Sequence, residues 1–505
     1  MTNRRLHSRF DPAGEADRYL AACLETRRPS CLLVVGGGED WLSEAARKRL
    51  PGSWIVSIQL DTAFRGTERP GSDRRWYPDS GIGLRDYLAR EASGKLDGGV
   101  AVVSWRPAES LFPDAASKAL REIREALEEL TSDAATSRYW ARRWMVNALR
   151  NFLSSGTYVR LGPGTSPLVV AAAGPSLESS LEALESVRGW FRLWALASAA
   201  GACLRRGWTP DLIVSTDPGA WADRHFDALL RSREPLPCPV AFPITARIPP
   251  AVRGRHPVLL LSPGQAPEED LPAAAGLPAC SVPSRGTSSA DALAFARTTT
   301  SGPVLAAGLD MAARDLRSHC RPYGLDPRIL APERRLKPGL TLVWDREVPG
   351  FPERRGDWRR GRSFDLYAGG LLPEGRPPIH RLLASPVPVA GTIPVNPEEL
   401  PSLLPDPSPA LPFDLEAFPA PEAPRRSSLA REALDAWESE AAEAASGRTG
   451  LPIPSRARRL LYALGGAEAA AFLAEAARGV REESLALRAL KALRISAAHL
   501  RELVP

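Results

Sequence analysis

Four short stretches of this chain carry the residue types that could hold and transfer a phosphate-linked group. "GPSL", Gly174 to Leu177, follows the apolar run "LVVAAA". A turn of Gly174, Pro175, Ser176 and Leu177 lets the backbone approach a ligand closely. It also opens a helix, whose first N–H groups and partial positive charge suit a phosphate. The same turn reads equally as an ordinary helix cap through Ser176. "RGTSSAD", Arg285 to Asp291, places Gly286, Thr287 and Ser288 at another helix start, a second anion cradle. "STDP", Ser215 to Pro218, offers Asp217 to a ribose, a base edge or Mg²⁺, or as a cap for the following helix. "GLDMAARDLRSHC", Gly308 to Cys320, supplies Gly308, Asp310 and His319. A histidine with an ordinary pKa near 6.5 is a candidate general base, although a lone histidine is more often structural. Ser198, directly after "RLWALA", completes the candidate set.

These residues need elements to hold them together, and the chain supplies alternating strands and helices. "PLVVAAA", "RLWALA", "PDLIVSTDP", "CPVAFPI", "HPVLLLSPG" and "GPVLAAGLD" read as buried strands separated by helical patterns such as "SLESSLEALESV" and "SSADALAFART". Apolar runs of this kind imply a parallel sheet covered on both faces. In such a sheet ligands bind beyond the carboxyl ends of the strands, where all the residues named above fall. The expected fold class is α/β. Its central part is a Rossmann-like open parallel sheet with helices on both faces, joined to a smaller N-terminal Rossmann-like α/β domain and a C-terminal helical bundle. The boundaries read as 1–112 for the N-terminal domain, 113–155 for a helical connector and 156–330 for the central domain. An irregular, proline-rich region follows over 331–425, and helices over 426–505.

Within the first domain, "CLLVVGGGEDWLSEAARKRL" and "SWIVSIQLD" form a β-α-β unit. Gly36 to Gly38 could lie near a phosphate and Asp61 on a ribose, but a structural or degenerate domain explains a lone glycine triplet as well. Trp140 and Trp144 of the connector read as core residues. Past Arg321, "RLKPGLTLVWDREVPGF" and "RSFDLYAGG" read as a small β excursion. Pro401 to Pro424 reads as a proline-rich linker or wrapping arm.

At 505 residues the chain is too long for one ordinary core. A net charge of +6 with no long basic block gives no sign of nucleic acid binding. The six cysteines show no metal-binding or disulfide spacing. The first twenty residues lack the apolar core of a signal peptide and no continuous apolar run is long enough to span a membrane, so the expectation is a cytoplasmic protein without a membrane span.

From about Leu168 to Gly324 the chain resembles the 6-hydroxymethylpterin diphosphokinase MptE-like domain, which also forms the core of the Maf (motility-associated factor) flagellin glycosyltransferases. The resemblance rests on "GPSL", "PDLIVSTDP", "GTSSADALAFA" and "GLDMAARDLRSHC", and on the tryptophan-containing helix "ARRWMVNALRNF" before them. Leu309 stands where the family usually has Gln, and Leu316 where Gly is common. More distantly the region is similar to bacterial sialyltransferases, in which a GPSL-type turn holds the nucleotide and a histidine is the base. The resemblance implies a transferase moving a CMP-activated nonulosonic sugar onto Ser or Thr of flagellin, with no cofactor required and His319 and Asp310 catalytic. The alternative is pyrophosphoryl transfer from ATP to a pterin alcohol, with Mg²⁺ on Asp217 and Asp310. A non-catalytic nucleotide-binding or scaffold protein is the third reading. Oligomeric state is left open.

Overall fold

A computed structural model of the chain describes residues 6–92, 95–231, 238–370, 377–404, 409–448, 453–478, 480 and 482–505. The chain divides into two compact units, which cut it differently from the five segments read in the sequence. One comprises 1–142 with 434–502, the other 143–433 with 503–505. The helix Pro113–Ser154 runs through 42 residues and contributes to both.

The first unit contains β1 (Cys31–Val35), β2 (Trp54–Ile58), β3 (Arg74–Trp76) and β4 (Val100–Ser104), all parallel in the order β3-β2-β1-β4. β1 is buried at every residue, as its unbroken apolar run requires of a strand covered on both faces. The same unit includes helices Ser455–Ala477 and Glu483–Arg501. By length and composition Ser455–Ala477 could cross a membrane, but 61% of its apolar window is buried inside the protein. It also breaks at Gly466, where φ is 55°. Those features suit a core helix.

The second unit is built on a larger sheet. Its strands are β5 (Thr157–Leu161), β6 (Leu168–Ala171), β7 (Arg192–Leu196), β8 (Leu212–Val214), β9 (Val240–Pro243), β10 (Val258–Ser262) and β11 (Ala279–Ser281). β12 (Val304–Ala307) and, past a two-residue β13 (Ala313–Arg314), several later strands follow. Among the described residues the order is β17-β16-β12-β6-β7-β8-β9-β10-β5-β18, with β11 against β10. Here β16 is Ile379–Leu382, β17 is Thr392–Val395 and β18 is Leu415–Pro419. Every pairing is parallel except β18 on β5. The chain lays down β6 to β10 in one direction and then returns to place β12 on the other side of β6. That reversal opens a crevice between the carboxyl ends of β6 and β12.

The region after 330 differs from its reading in two ways. "RLKPGLTLVWDREVPGF" holds the helix Gly339–Gly350, and "RSFDLYAGG" the helix Arg362–Gly370. The small antiparallel sheet lies between them, as β14 (Glu353–Arg355) and β15 (Trp358–Arg360) with β13. Thr341, Val343 and Val348 carry a local strand preference, and the helix forms in spite of it. Of the proline-rich stretch, residues 405–408 lie outside the described residues; beyond them Arg192 Nε and Nη2 donate to the carbonyls of Leu411 and Ala410, and β18 pairs with β5 at the sheet edge.

Candidate functional site

At the switch point the ends of β6 and β12 are joined by a side chain. Asp310 accepts from the backbone N–H of Ser176 and from its hydroxyl, both at 2.7 Å. Both residues are buried. Their backbones come this close because Gly174 and Gly308 flank them. Gly308 has φ 72°, and a methyl on Gly174 would lie 2.5 Å from an Asp310 carboxylate oxygen. Burial pushes the Asp310 carboxyl up to about 6, while the two Ser176 donors pull it down. Gly174 N–H goes to Gly308 and Leu177 N–H to Gly174, so the turn's N–H groups all have partners inside the fold. Ser176 makes no side-chain cap bond to its helix. The phosphate role of Pro175, Ser176 and Leu177 is therefore corrected: both Ser176 donors hold the Asp310 carboxylate, an anion belonging to the protein, Leu177 N–H goes to the Gly174 carbonyl, Pro175 has no N–H, and none of the three lines the cavity.

The second cradle is open. Thr287 caps the helix Ser288–Thr299, its hydroxyl accepting from Ala290 N–H, and the N–H groups of Ser288 and Ser289 have no partner among the described residues. Ser288 Oγ lies 2.8 Å from Thr216 Oγ1, tying this turn to the loop after β8. Asp291, buried and raised to about 6 by that burial, holds the turn from behind by accepting from Arg285 N–H. The long connector helix holds the loops after β8 and β9. Asn147 donates to the carbonyls of Pro218 and Thr245, and Asn151 to those of Ile244 and Ala246.

A cavity of about 240 Å³ lies between these parts. Of the sequence-derived candidates, Gly174, Ser198, Asp217, Thr287, Ser288, Gly308, Asp310 and His319 line it. Gly286 is exposed beside the mouth. Phe364 and Tyr367, from the helix Arg362–Gly370, form an aromatic wall. The strand reading of "RSFDLYAGG" concealed that wall; the i, i+3 spacing of the two rings was the available signal.

His319 sits in a stack. Its ring is 4.1 Å from that of Tyr323 at 15°, and His225 lies on Tyr323 at 5.6 Å. Part of the His319 ring is exposed to the cavity, yet burial, followed by His225 and Arg346, holds its pKa well below the usual imidazole value. The imidazole is neutral at pH 7, as a proton acceptor must be, but not because its pKa is near 6.5. Nδ1 lies 3.0 Å from Ser318 Oγ. The loop before it keeps the left-handed turn that the missing glycine would favour: Leu316 has φ 61°. A non-glycine residue there costs about 1–2 kcal/mol.

Asp217 Oδ1 accepts from Gly219 N–H and both Asp310 oxygens face Ser176. No group of three or more potential metal ligands occurs among the described residues. The first domain's glycine turn is filled by its own chain. A methyl on Gly38 would lie 2.7 Å from Leu6, Gln59 exchanges hydrogen bonds with the Gly38 backbone, and His7 stacks on Trp105. Asp61, proposed for a ribose, caps a short helical turn by accepting from Ala63 N–H.

Comparison with known proteins places this site in a family context. Residues 143–315 match the family model described as 6-hydroxymethylpterin diphosphokinase MptE-like. An uncharacterized protein of Treponema pallidum (strain Nichols) is 30% identical over 241 residues, 48% of this chain and 52% of that one. A second uncharacterized protein from the same organism is 27% identical over 116 residues, 22% of this chain and 55% of that one. The chain thus spans about half the length of the curated relatives it matches. Among solved structures, the Maf glycosyltransferase from Magnetospirillum magneticum AMB-1 shares the fold, with a TM-score of 0.55 at 11% identity over 97% of this chain and 82% of that one.

Proposed function

From a chain that carries an MptE-like domain on a fold shared with a Maf glycosyltransferase, we propose a cytoplasmic transferase that moves a CMP-activated nonulosonic sugar onto Ser or Thr of flagellin. The observation that carries this reading is the shared cavity. The free N–H groups of Ser288 and Ser289, the aromatic wall and a neutral His319 meet at one switch point.

In the proposed reaction the acceptor hydroxyl gives its proton to His319 while its oxygen bonds to the anomeric carbon. The bond from that carbon to the CMP phosphate oxygen breaks, and CMP leaves with the electron pair. The Ser288 and Ser289 N–H groups, fixed by the capped helix, stabilise the charge gathering on the phosphate. Phe364 and Tyr367 offer apolar faces for a base or sugar ring. The closed Ser176–Asp310 pair holds the floor of the site rather than touching substrate.

Pyrophosphoryl transfer from ATP is the second reading, favoured by the description of the matched family. It needs a divalent cation to bridge phosphates, and both Asp310 oxygens are already engaged by Ser176. The deciding experiment incubates the chain with a CMP-nonulosonic sugar and flagellin and follows CMP release and the mass of flagellin Ser/Thr peptides. Sugar-bearing peptides are the expected result. ATP-dependent modification of hydroxymethylpterin would overturn the ranking, and nucleotide binding without turnover of either substrate would favour a scaffold.

A further inference from the structure

Behind His319 a chain of hydrogen bonds leads to a buried carboxylate. Ser318 Oγ donates to Glu347 Oε1 at 3.2 Å and lies 3.0 Å from His319 Nδ1. Glu347 comes from the helix Gly339–Gly350 and is 6% exposed; its second oxygen is buried without a hydrogen-bond partner. Burial raises the Glu347 carboxyl above its ordinary value, while Arg346, whose Nε lies 3.6 Å from Oε1, and the Ser318 hydroxyl pull it back toward the ionised form.

In the Ser318–Glu347 hydrogen bond the hydroxyl is the donor and the carboxyl oxygen Oε1 the acceptor. The single Ser318 proton must then point at Glu347, leaving the serine oxygen's lone pairs toward the imidazole. A hydrogen bond between that oxygen and Nδ1 requires the proton to be on Nδ1. The remaining nitrogen, Nε2, is then bare, and it meets no donor among the described residues. Stacking on Tyr323 fixes the plane of the ring.

We propose that Glu347, acting through Ser318, sets the His319 tautomer with Nδ1 protonated and Nε2 as the acceptor in the cavity wall. Glu347 and Ser318 are thus positioning residues. The catalytic consequence rests on the glycosyl-transfer reading; the tautomer itself does not.

The test uses the full chain labelled with ¹⁵N-histidine. Long-range ¹H–¹⁵N correlation at pH 7 reads which nitrogen is protonated, and the His319 signals are assigned by their loss in His319→Gln. The wild type should show Nδ1–H and bare Nε2. Glu347→Ala frees the Ser318 proton to donate to Nδ1 and should move the ring to the Nε2–H form. Ser318→Ala removes the link and should do the same, while Ser318→Thr, which keeps the hydroxyl, should restore the wild-type pattern. If Ser318→Ala fails to fold, Glu347→Ala and Ser318→Thr still decide the matter. An Nε2–H wild type, or a tautomer unchanged in the folded alanine variants, overturns the proposal. In the transfer assay the alanine variants should lose about 100-fold in kcat with donor KM retained. A wild type without transfer activity would sink the glycosyl-transfer reading and leave the tautomer result standing.

Discussion

The carboxylate of Asp310 takes both of its short hydrogen bonds from one residue, Ser176, across the point where the large sheet reverses its strand order. A turn that reads in the sequence as a phosphate cradle thereby becomes a structural clamp. Its removal has a testable consequence. Asp310→Ala strands a buried N–H and should cost about 2–4 kcal/mol of stability, read by chemical denaturation.

The clamp should also respond to pH. Burial raises Asp310 from 3.8 to about 6, so the folded state favours the protonated acid more than the unfolded state does. That advantage is present below about pH 4 and is lost as pH rises through about 6. Asp310→Asn can keep both bonds, since its amide donates to Ser176 Oγ while its oxygen accepts from the N–H. Relative to this variant, wild type should lose on the order of 2–3 kcal/mol between pH 4 and pH 7. Paired denaturation curves across that range measure it. A pH-independent difference would mean that Asp310 is not perturbed.

His319 should titrate far below an ordinary histidine, because burial and the neighbouring His225 and Arg346 disfavour its charged form. Its NMR resonances should keep their neutral positions from pH 8 down to pH 5. The transfer rate of the free enzyme should correspondingly lack the acid limb near pH 6.5 that an exposed imidazole would give. His319→Asn should lower turnover by about 10²–10⁴-fold with donor binding retained.

Ser288→Pro should weaken nucleotide binding without unfolding the helix. Position N1 tolerates proline, and Thr287 before it is already extended. The substitution deletes one of the two free N–H groups. A hydrogen bond to a charged phosphate is worth about 1.5–3 kcal/mol, so affinity for CMP should fall about 10- to 100-fold by calorimetry. Ser288→Ala, which loses only the hydroxyl bond to Thr216, should bind closer to wild type. Equal affinity in all three proteins would move the phosphate away from this turn.

CMP binding should be insensitive to EDTA, since the cradle consists of backbone N–H groups and hydroxyls. If ATP instead bound tightly only with Mg²⁺, and Asp217→Asn abolished that dependence, the diphosphokinase reading would gain over the glycosyltransferase one.

How much of this was legible beforehand follows from the range of each interaction. The parallel sheet and its helices could be read directly, because runs such as "LVVA" and "VLLLS" have one physical use, a strand buried on both faces. Turn chemistry also placed Gly174, Asp217, Thr287 and His319 at strand ends, and the parallel sheet brings those ends to one edge. The sequence could not show which of two similar turns stays open. "GPSL" and "GTSS" offer the same donors locally, and the difference is a carboxylate 134 residues away from Ser176. Nor could it show that "RSFDLYAGG" turns helical and brings Phe364 and Tyr367 to the cavity, or that Leu6 and His7 fill the first domain's glycine turn. Local pattern determines which elements form, since periodicity and turn residues act over a few positions. Which donors are left for a ligand is decided only when distant segments pack, because a hydrogen-bonding group already satisfied inside the protein gains little from a second partner.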